Sequence, residues 1–224
     1  MSDSCEWILI YRFVMSLPAL STLQCLTRVF NIPCKFCESG QYLYLPVEKG
    51  GCNGHRKWID VIAKILVSSC LLGEKTRYDG GHSRMDSPIL EQWEREGRII
   101  SFCPEVEGGC PIPRIPCEII DGDGDMVIDG EARVLNVRNQ DFTAKYIRGA
   151  EKALRVAQKN GVSVALLKAR SPSCGSKQIY DGTFLNSLKP GKGVTTALLE
   201  RNGIRVLNED EIEEAEDYLR RTKV

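Results

Sequence analysis

The sequence has no excess of charge of either sign. Its 30 lysine and arginine residues balance 30 aspartate and glutamate residues, so the formal net charge is zero. A neutral chain has no overall field that attracts nucleic acid or an anionic membrane surface. Aromatic residues make up only 7% of the chain, which leaves little surface on which bases could stack. We therefore do not expect nucleic acid as a partner.

Long hydrophobic runs are also missing. No stretch approaches the roughly 20 apolar residues that a helix needs to span a bilayer. The segment from Met1 to Glu6 lacks the basic start of a secretory signal. These features predict a cytoplasmic protein without a membrane partner, present as a monomer or a homodimer.

Cysteine, by contrast, is abundant, with ten residues in a chain of 224. In a small secreted protein this number would indicate a disulfide framework. Here the chain is larger, carries no evident signal and has enough apolar residues to form a core. We therefore predict reduced thiols, some of which serve a metal.

The first quarter of the chain differs from the remainder in the pattern of its apolar residues. Residues 1–60 mix cysteines, aromatic and apolar residues without a sustained period, whereas periodicity becomes clear from about Val61. We predict that residues 1–60 are an extension, either disordered or the product of a wrongly assigned start, and that residues 61–224 form an α/β domain. Cys34 and Cys37 make a Cys-x-x-Cys pair, but flanking strand and helix signals are missing, so we interpret the pair as chance.

The pattern after residue 61 alternates between strands and helices. The predicted strands are 65–70, 98–102, 162–168 and 204–207, and the predicted helices are 88–96, 141–160, 194–202 and 209–221. The strand at 162–168 is apolar on both faces, as expected for a central parallel strand. Residues 117–120 and 126–128 read as two short strands that form a hairpin or an excursion from the sheet. The order predicts a doubly wound, Rossmann-like α/β sandwich with a mainly parallel central sheet.

Three cysteines follow three of these strands. Cys70, Cys103 and Cys174 stand at or just beyond strand ends, and in an open parallel sheet such positions converge on one edge, where ligands bind. Structural zinc sites usually have four protein ligands, often as two local pairs, whereas iron–sulfur clusters take thiolates and can leave one iron open. The sequence therefore favours an open cluster over zinc, although a lone cysteine at a strand end is ordinarily a buried small residue.

Several segments together resemble the 2-thiouracil desulfidase family over about residues 64–210. The matching segments run from Val67 to Gly73, Arg77 to Gly81, Cys103 to Val106 with Gly108, Gly109, Pro113 and Arg114, Lys168 with Ser171 to Gly175, Tyr180 to Phe184, Gly193 to Thr195, and Asn202 to Ile204. They occur in the family's order, which makes accident very improbable. Residues 1–60 have no counterpart in that family.

The resemblance implies a 4Fe-4S cluster held by Cys70, Cys103 and Cys174, with one iron open to the substrate sulfur. It implies loss of sulfide from 2-thiouracil or a related thiolated pyrimidine, which gives the oxo product by hydrolysis without net electron transfer. Glu105 is close in sequence to a proposed ligand, and we interpret it as the general base that deprotonates water.

Candidate substrate contacts surround these residues. They are Ser68, Asp79, Arg114, Ser171 and Ser173. Asp79 and Arg114 could hydrogen-bond a pyrimidine edge or serve as turn and surface residues. The two serines of the Ser-Pro-Ser segment could orient substrate, hydrogen-bond cluster sulfur, or simply build a turn. Cys110 and Cys117 are interpreted as packing residues, with Cys110 the better spare ligand.

Two alternatives to thiouracil desulfidation stay open at this stage. One is sulfur removal from a thionucleoside or another thioamide. The other is a non-catalytic module that binds or senses iron–sulfur clusters. Catalysis and sensing differ in their need for Glu105, because only a desulfidase requires a base beside the cluster.

Overall fold

The computed structural model describes residues 62–221. The strands are β1 (Ile65–Ser68), β2 (Ile99–Phe102), β3 (Cys117–Ile120), β4 (Arg133–Asn136), β5 (Val164–Leu167), β6 (Gln178–Tyr180), β7 (Leu188–Pro190) and β8 (Arg205–Asn208). The helices are α1 (Pro88–Arg95), α2 (Pro104–Glu107), α3 (Gly124–Asp129), α4 (Thr143–Lys159), α5 (Val194–Arg201) and α6 (Ile212–Arg221). Two 3-10 turns cover Ser69–Leu72 and Glu209–Glu211. The extension predicted for residues 1–60, with its Cys34 and Cys37 pair, lies outside the described residues.

Four strands form a parallel central sheet in the order β2-β1-β5-β8. Side chains of β1 alternate between its two faces, as the strand period of two requires. Ile65 and Val67 pack in a cluster with Trp93 of α1 and Leu219 of α6. Leu66 packs on the opposite side with residues of α4 and α5. Helices therefore cover both faces of the sheet, which confirms the doubly wound α/β fold.

The chain between β2 and β5 makes a separate layer. Here β3 pairs with β4 in an antiparallel hairpin, in a register that places Cys117 opposite Asn136. The prediction of a strand at 126–128 is wrong, because these residues lie in α3. Asp123 caps this helix by accepting hydrogen bonds from the amides of Asp125 and Met126 (3.0 and 3.3 Å). The apolar run Met-Val-Ile resembles a strand locally, but the cap at its start selects a helix.

The chain after β5 also differs from the expectation. The short antiparallel pair of β6 and β7 had no strong sequence signal.

Within residues 62–221 no helix has both the length and the apolar character needed to cross a membrane.

A buried carboxylate ties the two helices on one face together. The indole Nε1 of Trp93 donates to Glu216 Oε2 (2.6 Å), and Arg220 Nε donates to Glu216 Oε1 (2.7 Å). Burial opposes ionisation of this carboxyl group, but the hydrogen bonds from Arg220 and Trp93 outweigh it, so the pKa of Glu216 lies below its ordinary value of 4.5. A carboxyl whose pKa is lowered on folding stabilises the protein above its unfolded-state pKa, and this contribution is lost as pH falls through the folded-state pKa.

We therefore expect Glu216→Gln to lower the free energy of unfolding by about 2 kcal/mol at pH 7. The difference from wild type should shrink progressively as the pH falls below about 4.5, because the unfolded chain then takes up a proton at this carboxyl group before the folded protein does. Urea denaturation at pH 7 and pH 3.5 measures both effects, with Glu213→Gln, an exposed position on α6, as the control. An equal difference in free energy of unfolding between wild type and Glu216→Gln at both pH values would contradict this account.

Candidate active site

The carboxyl ends of β1, β2 and β5 open onto one cavity of about 480 Å³. Cys70 lies in the 3-10 turn that follows β1, Cys103 follows β2 as the residue that precedes α2, and Cys174 lies in the turn region after β5. All three side chains line the cavity. The convergence predicted from the strand ends is thus present, although β1 ends at Ser68 and Cys70 belongs to the turn rather than to the strand.

The three thiols are free, and their charges are coupled to one another. Burial, together with a negative charge on Cys103, raises the pKa of Cys70 to about 11. Burial also raises the pKa of Cys174 well above its usual range, and charges on Glu105, Cys103 and Cys70 act in the same direction. The thiolates would repel one another in this buried place, so a cationic centre must be present for them to coexist as thiolates.

The donor set agrees with an iron–sulfur cluster. Such clusters take thiolates, and their ligands attach to separate iron atoms. Three thiolates on one zinc ion, at about 2.3 Å from it, would instead have their sulfurs within about 4 Å of one another. Among residues 62–221 no group of three or more histidine, cysteine or acidic side chains has an arrangement that could hold a single metal ion. The chemistry of Cys70, Cys103 and Cys174, three thiols on one cavity, fits an iron–sulfur cluster.

Glu105 is anchored beside the thiols from two sides. Arg114 donates to Glu105 Oε2 through Nε (2.9 Å) and Nη2 (2.6 Å), and only 4% of the arginine side chain is exposed. Ser171 Oγ donates to Glu105 Oε1 (3.1 Å). Arg114 also donates to the carbonyl of Thr76 (3.2 and 3.3 Å), which fixes the guanidinium in place. Both carboxylate oxygens thus have a partner, and the group has one orientation.

Ser68 and Ser171 lie on either side of Cys174. Ser68 Oγ donates to Cys174 Sγ (3.8 Å) and accepts from the amide of Lys168 (3.0 Å). Ser171 Oγ accepts from the amides of Ser173 and Cys174 (3.0 and 3.3 Å). Ser171 therefore builds the turn that carries Cys174 and also contacts Glu105. That Ser171 orients substrate or hydrogen-bonds cluster sulfur stays a prediction.

The remaining predicted substrate contacts lie elsewhere. Asp79 accepts from Arg77 (3.3 Å) and from the amide of Gly81 (2.9 Å), in an exposed turn outside the cavity lining. Ser173 is buried, and its hydroxyl pairs with Thr195 Oγ1 (2.9 Å) rather than lining the cavity. Because neither Asp79 nor Ser173 lines the cavity, a direct contact of either side chain with substrate stays a prediction without structural support.

The two extra cysteines have different positions. Cys110 and Cys117 are both buried in the cluster that includes Tyr146, as expected for packing residues. Cys117 also lines the cavity, whereas Cys110 does not. Burial raises the pKa of Cys110 to about 11 and that of Cys117 to about 12, so both are neutral thiols at physiological pH.

Several residues of the cavity lining are not among the candidates predicted from the sequence. They are Tyr78, Glu118, Tyr146, Tyr180, Phe184 and Asn186. Of these, Tyr78, Tyr180 and Phe184 stand in segments that carry the family resemblance, which was the available signal. Lys168 also lines the cavity and pairs with Glu209, a contact between residues far apart in sequence.

A parallel sheet whose carboxyl edge opens onto a cavity with three thiols and one anchored carboxylate defines an α/β enzyme with its site at that edge. The chain belongs to the 2-thiouracil desulfurase family, whose model matches residues 65–211.

Two known proteins are similar to this chain. YbbK of Bacillus subtilis (strain 168), an uncharacterised protein, is 43% identical over 148 residues, which are 66% of this chain and 97% of YbbK. The solved structure of a 4Fe-4S-dependent thiouracil desulfidase, TudS, is 44% identical, with a TM-score of 0.64 over 70% of this chain and 97% of that one. The resemblance inferred from the sequence is confirmed.

Close helix packing supports the part of the site on α2. Gly149 of α4 lies against α2, and a Cβ atom placed there would be 2.0 Å from the carbonyl oxygen of Pro104. Gly108, just after α2, lies equally close to α4, because a Cβ atom placed on it would be 2.1 Å from the carbonyl oxygen of Lys145. These two glycines let the backbone next to Cys103 and Glu105 rest directly on α4.

We expect Gly149→Ala to displace α2, lower thermal stability and reduce iron binding. Helix propensity alone would make the same substitution stabilising by about 0.5–1 kcal/mol, whereas forced overpacking costs about 1–3 kcal/mol. A lower melting temperature would therefore indicate overpacking between α2 and α4, and a higher one would indicate that helix propensity dominates. Thermal denaturation and iron content after reconstitution measure it, with Glu151→Ala, at an exposed position of α4, as the control. Unchanged iron content together with higher stability would show that α2 does not depend on this contact.

Proposed function

We propose that this protein is an iron–sulfur-dependent desulfidase that converts 2-thiouracil, or a related thiolated pyrimidine, into the oxo product and sulfide. The observation that carries the proposal is the meeting of three thiols, two of them buried, and one anchored carboxylate in a single cavity. Membership of the 2-thiouracil desulfurase family supports the same reaction. The proposal assigns this activity to residues 61–224.

Cys70, Cys103 and Cys174 would hold a 4Fe-4S cluster by three thiolates, which leaves one iron without a protein ligand. When bound, such a cluster supplies a soft Lewis acid suited to a thiocarbonyl sulfur. Ser68, Cys70 and Cys174 are buried residues of the cavity wall, and Glu105 lines the same cavity. In this proposal the attacking water lies beside Glu105.

Glu105 has the role of general base in this proposal. Ser171 and Arg114 fix both carboxylate oxygens, so the base keeps one orientation while it takes a proton from the attacking water. Net reaction of a thiocarbonyl with one water gives a carbonyl and hydrogen sulfide. No electrons are gained or lost, so no external reductant or oxidant is required.

Anaerobic reconstitution of the wild-type protein with iron and sulfide, followed by addition of 2-thiouracil, tests the proposal. We expect uracil and sulfide to appear in equal amounts, and only in protein that carries the cluster. Protein without iron is the matched control. A stable cluster that releases neither product from 2-thiouracil would exclude this substrate, and a thionucleoside or another thioamide would then be assayed in its place.

A further inference from the structure

One wall of the cavity is a loop between β6 and β7, residues 181–187. The amide of Asp181 donates to the carbonyl of Ser187 (3.0 Å), which closes the loop at its base. The carboxylate of Asp181 accepts from the amide and the hydroxyl of Thr183 (2.9 and 2.6 Å). From this closed loop Phe184 and Asn186 line the cavity. The next side chain after Phe184, Leu185, is 76% exposed and does not.

The backbone of Phe184 has an uncommon conformation. Its φ of 60° lies in the left-handed region. Glycine and asparagine adopt this region readily, whereas a bulky residue such as phenylalanine rarely does. Asn186 (φ 61°) and Arg170 (φ 66°) share this conformation, and both also line the cavity. Left-handed residues of this kind persist only where surrounding contacts hold them, and they are concentrated in ligand-binding sites.

The contact that holds Phe184 comes from β3. Glu118 is 7% exposed, and its Oε2 accepts from the amides of Gly182 (2.9 Å) and Phe184 (3.1 Å). The loop also lies directly on β3, because a Cβ atom at Gly182 would be 2.9 Å from the carbonyl oxygen of Ile119. Two charge-assisted hydrogen bonds to one buried carboxylate thus offset the unfavourable backbone of Phe184.

We propose that Phe184 presents its ring to the flat face of the substrate heterocycle, and that Glu118 is the positioning residue that holds this ring in place. The inference rests on the proposed function and adds a specificity determinant to it. An aromatic face recognises a planar heterocycle by stacking. The strained backbone has a reason under this account, since the left-handed conformation is held at a residue that lines the cavity.

The first test compares Phe184→Ala with Leu185→Ala in the reconstituted full-length protein. We expect Phe184→Ala to raise KM for 2-thiouracil at least about fivefold, with kcat within twofold of wild type and unchanged iron content. The dissociation constant for uracil, measured by calorimetry, should rise by the same factor. Leu185→Ala should match wild type in all four measurements. Phe184→Gly, which removes the ring and also relieves the left-handed strain, should reproduce the weaker binding in a folded protein.

The second test concerns Glu118. Glu118→Gln keeps an oxygen that can accept both amides and should stay close to wild type, whereas Glu118→Ala should weaken uracil binding as much as Phe184→Ala does. If Glu118 acts through Phe184, the double variant should bind no more weakly than either single variant. Additive losses in the double variant would overturn the positioning role.

The outcomes separate this inference from the proposed reaction. Wild-type protein that binds uracil but releases no sulfide from 2-thiouracil would refute the reaction alone. Equal affinity for uracil in wild type and in both Phe184 variants would overturn the ring contact, whatever the turnover.

Discussion

Cys174→Ala is expected to lose both the cluster and all cluster-dependent release of sulfide. The side chain is buried, lines the cavity and lies within hydrogen-bonding reach of Ser68 (3.8 Å). Its removal leaves Cys70 and Cys103 as the remaining thiols of the set, and two thiolates do not hold a cluster that normally has at least three protein ligands. Iron and sulfide content after anaerobic reconstitution measure the loss, from about four iron atoms per chain in wild type to a small fraction of that.

The matched control for this loss is Cys110→Ala. Cys110 is as buried as Cys174 but does not line the cavity. Truncating it should cost some stability through a small void and leave iron content and turnover unchanged. Circular dichroism shows whether both variants are folded. A folded Cys174→Ala protein that retains iron and turnover would remove Cys174 from the proposed ligands, and loss of iron from Cys110→Ala would add Cys110 to them.

Glu105→Gln is expected to keep the cluster and lower kcat by about 10²–10⁴-fold. Glutamine has nearly the same shape and still offers an oxygen to Ser171 or Arg114, but it cannot take a proton from water. The substitution also leaves the buried guanidinium of Arg114 without its counter-charge, so we expect a lower melting temperature as well. Steady-state turnover of 2-thiouracil at saturating substrate, together with the absorbance of the cluster, measures both parts of the prediction.

Glu107→Gln provides the control on the same short helix. Glu107 is exposed and pairs with Lys152 (3.5 Å), away from the cavity lining. Its substitution should leave kcat and cluster content unchanged. Turnover of Glu105→Gln within twofold of wild type would show that another group, or none, deprotonates the water.

The central sheet could be predicted from the sequence because its signals are local. The strand at Val164–Leu167 is apolar on both faces, and the helix at Thr143–Lys159 has a strong period, so their places in the chain were evident. The segment from Gly124 to Asp129 was misread because three apolar residues in a row suit a strand as well as a helix. The cap at Asp123 was the better signal.

Contacts between distant parts of the chain could not be predicted in the same way. The sequence identified Glu105 and Arg114 as separate candidates, but nothing local indicated that the arginine would pair with the glutamate or that Ser171 would reach it from a turn beyond β5. Glu118 was missed entirely, because its partners, the amides of Gly182 and Phe184, carry no side-chain pattern. Asp79 was chosen from a matching segment that the fold leaves in an exposed turn.

The strand order has a consequence for when the protein can acquire iron during its synthesis. The proposed ligands after β1 and β5 come from neighbouring strands, yet Cys70 and Cys174 are about a hundred positions apart in the chain. A chain still emerging from the ribosome has no β5 beside β1 until residue 174 and the strand before it are free to dock. Such long-range parallel pairing is slow to form. With the proposed ligands, the complete set of thiols would therefore exist only after residue 174 has been synthesised and β5 has docked, and until then Cys70 and Cys103 would be free thiols open to oxidation.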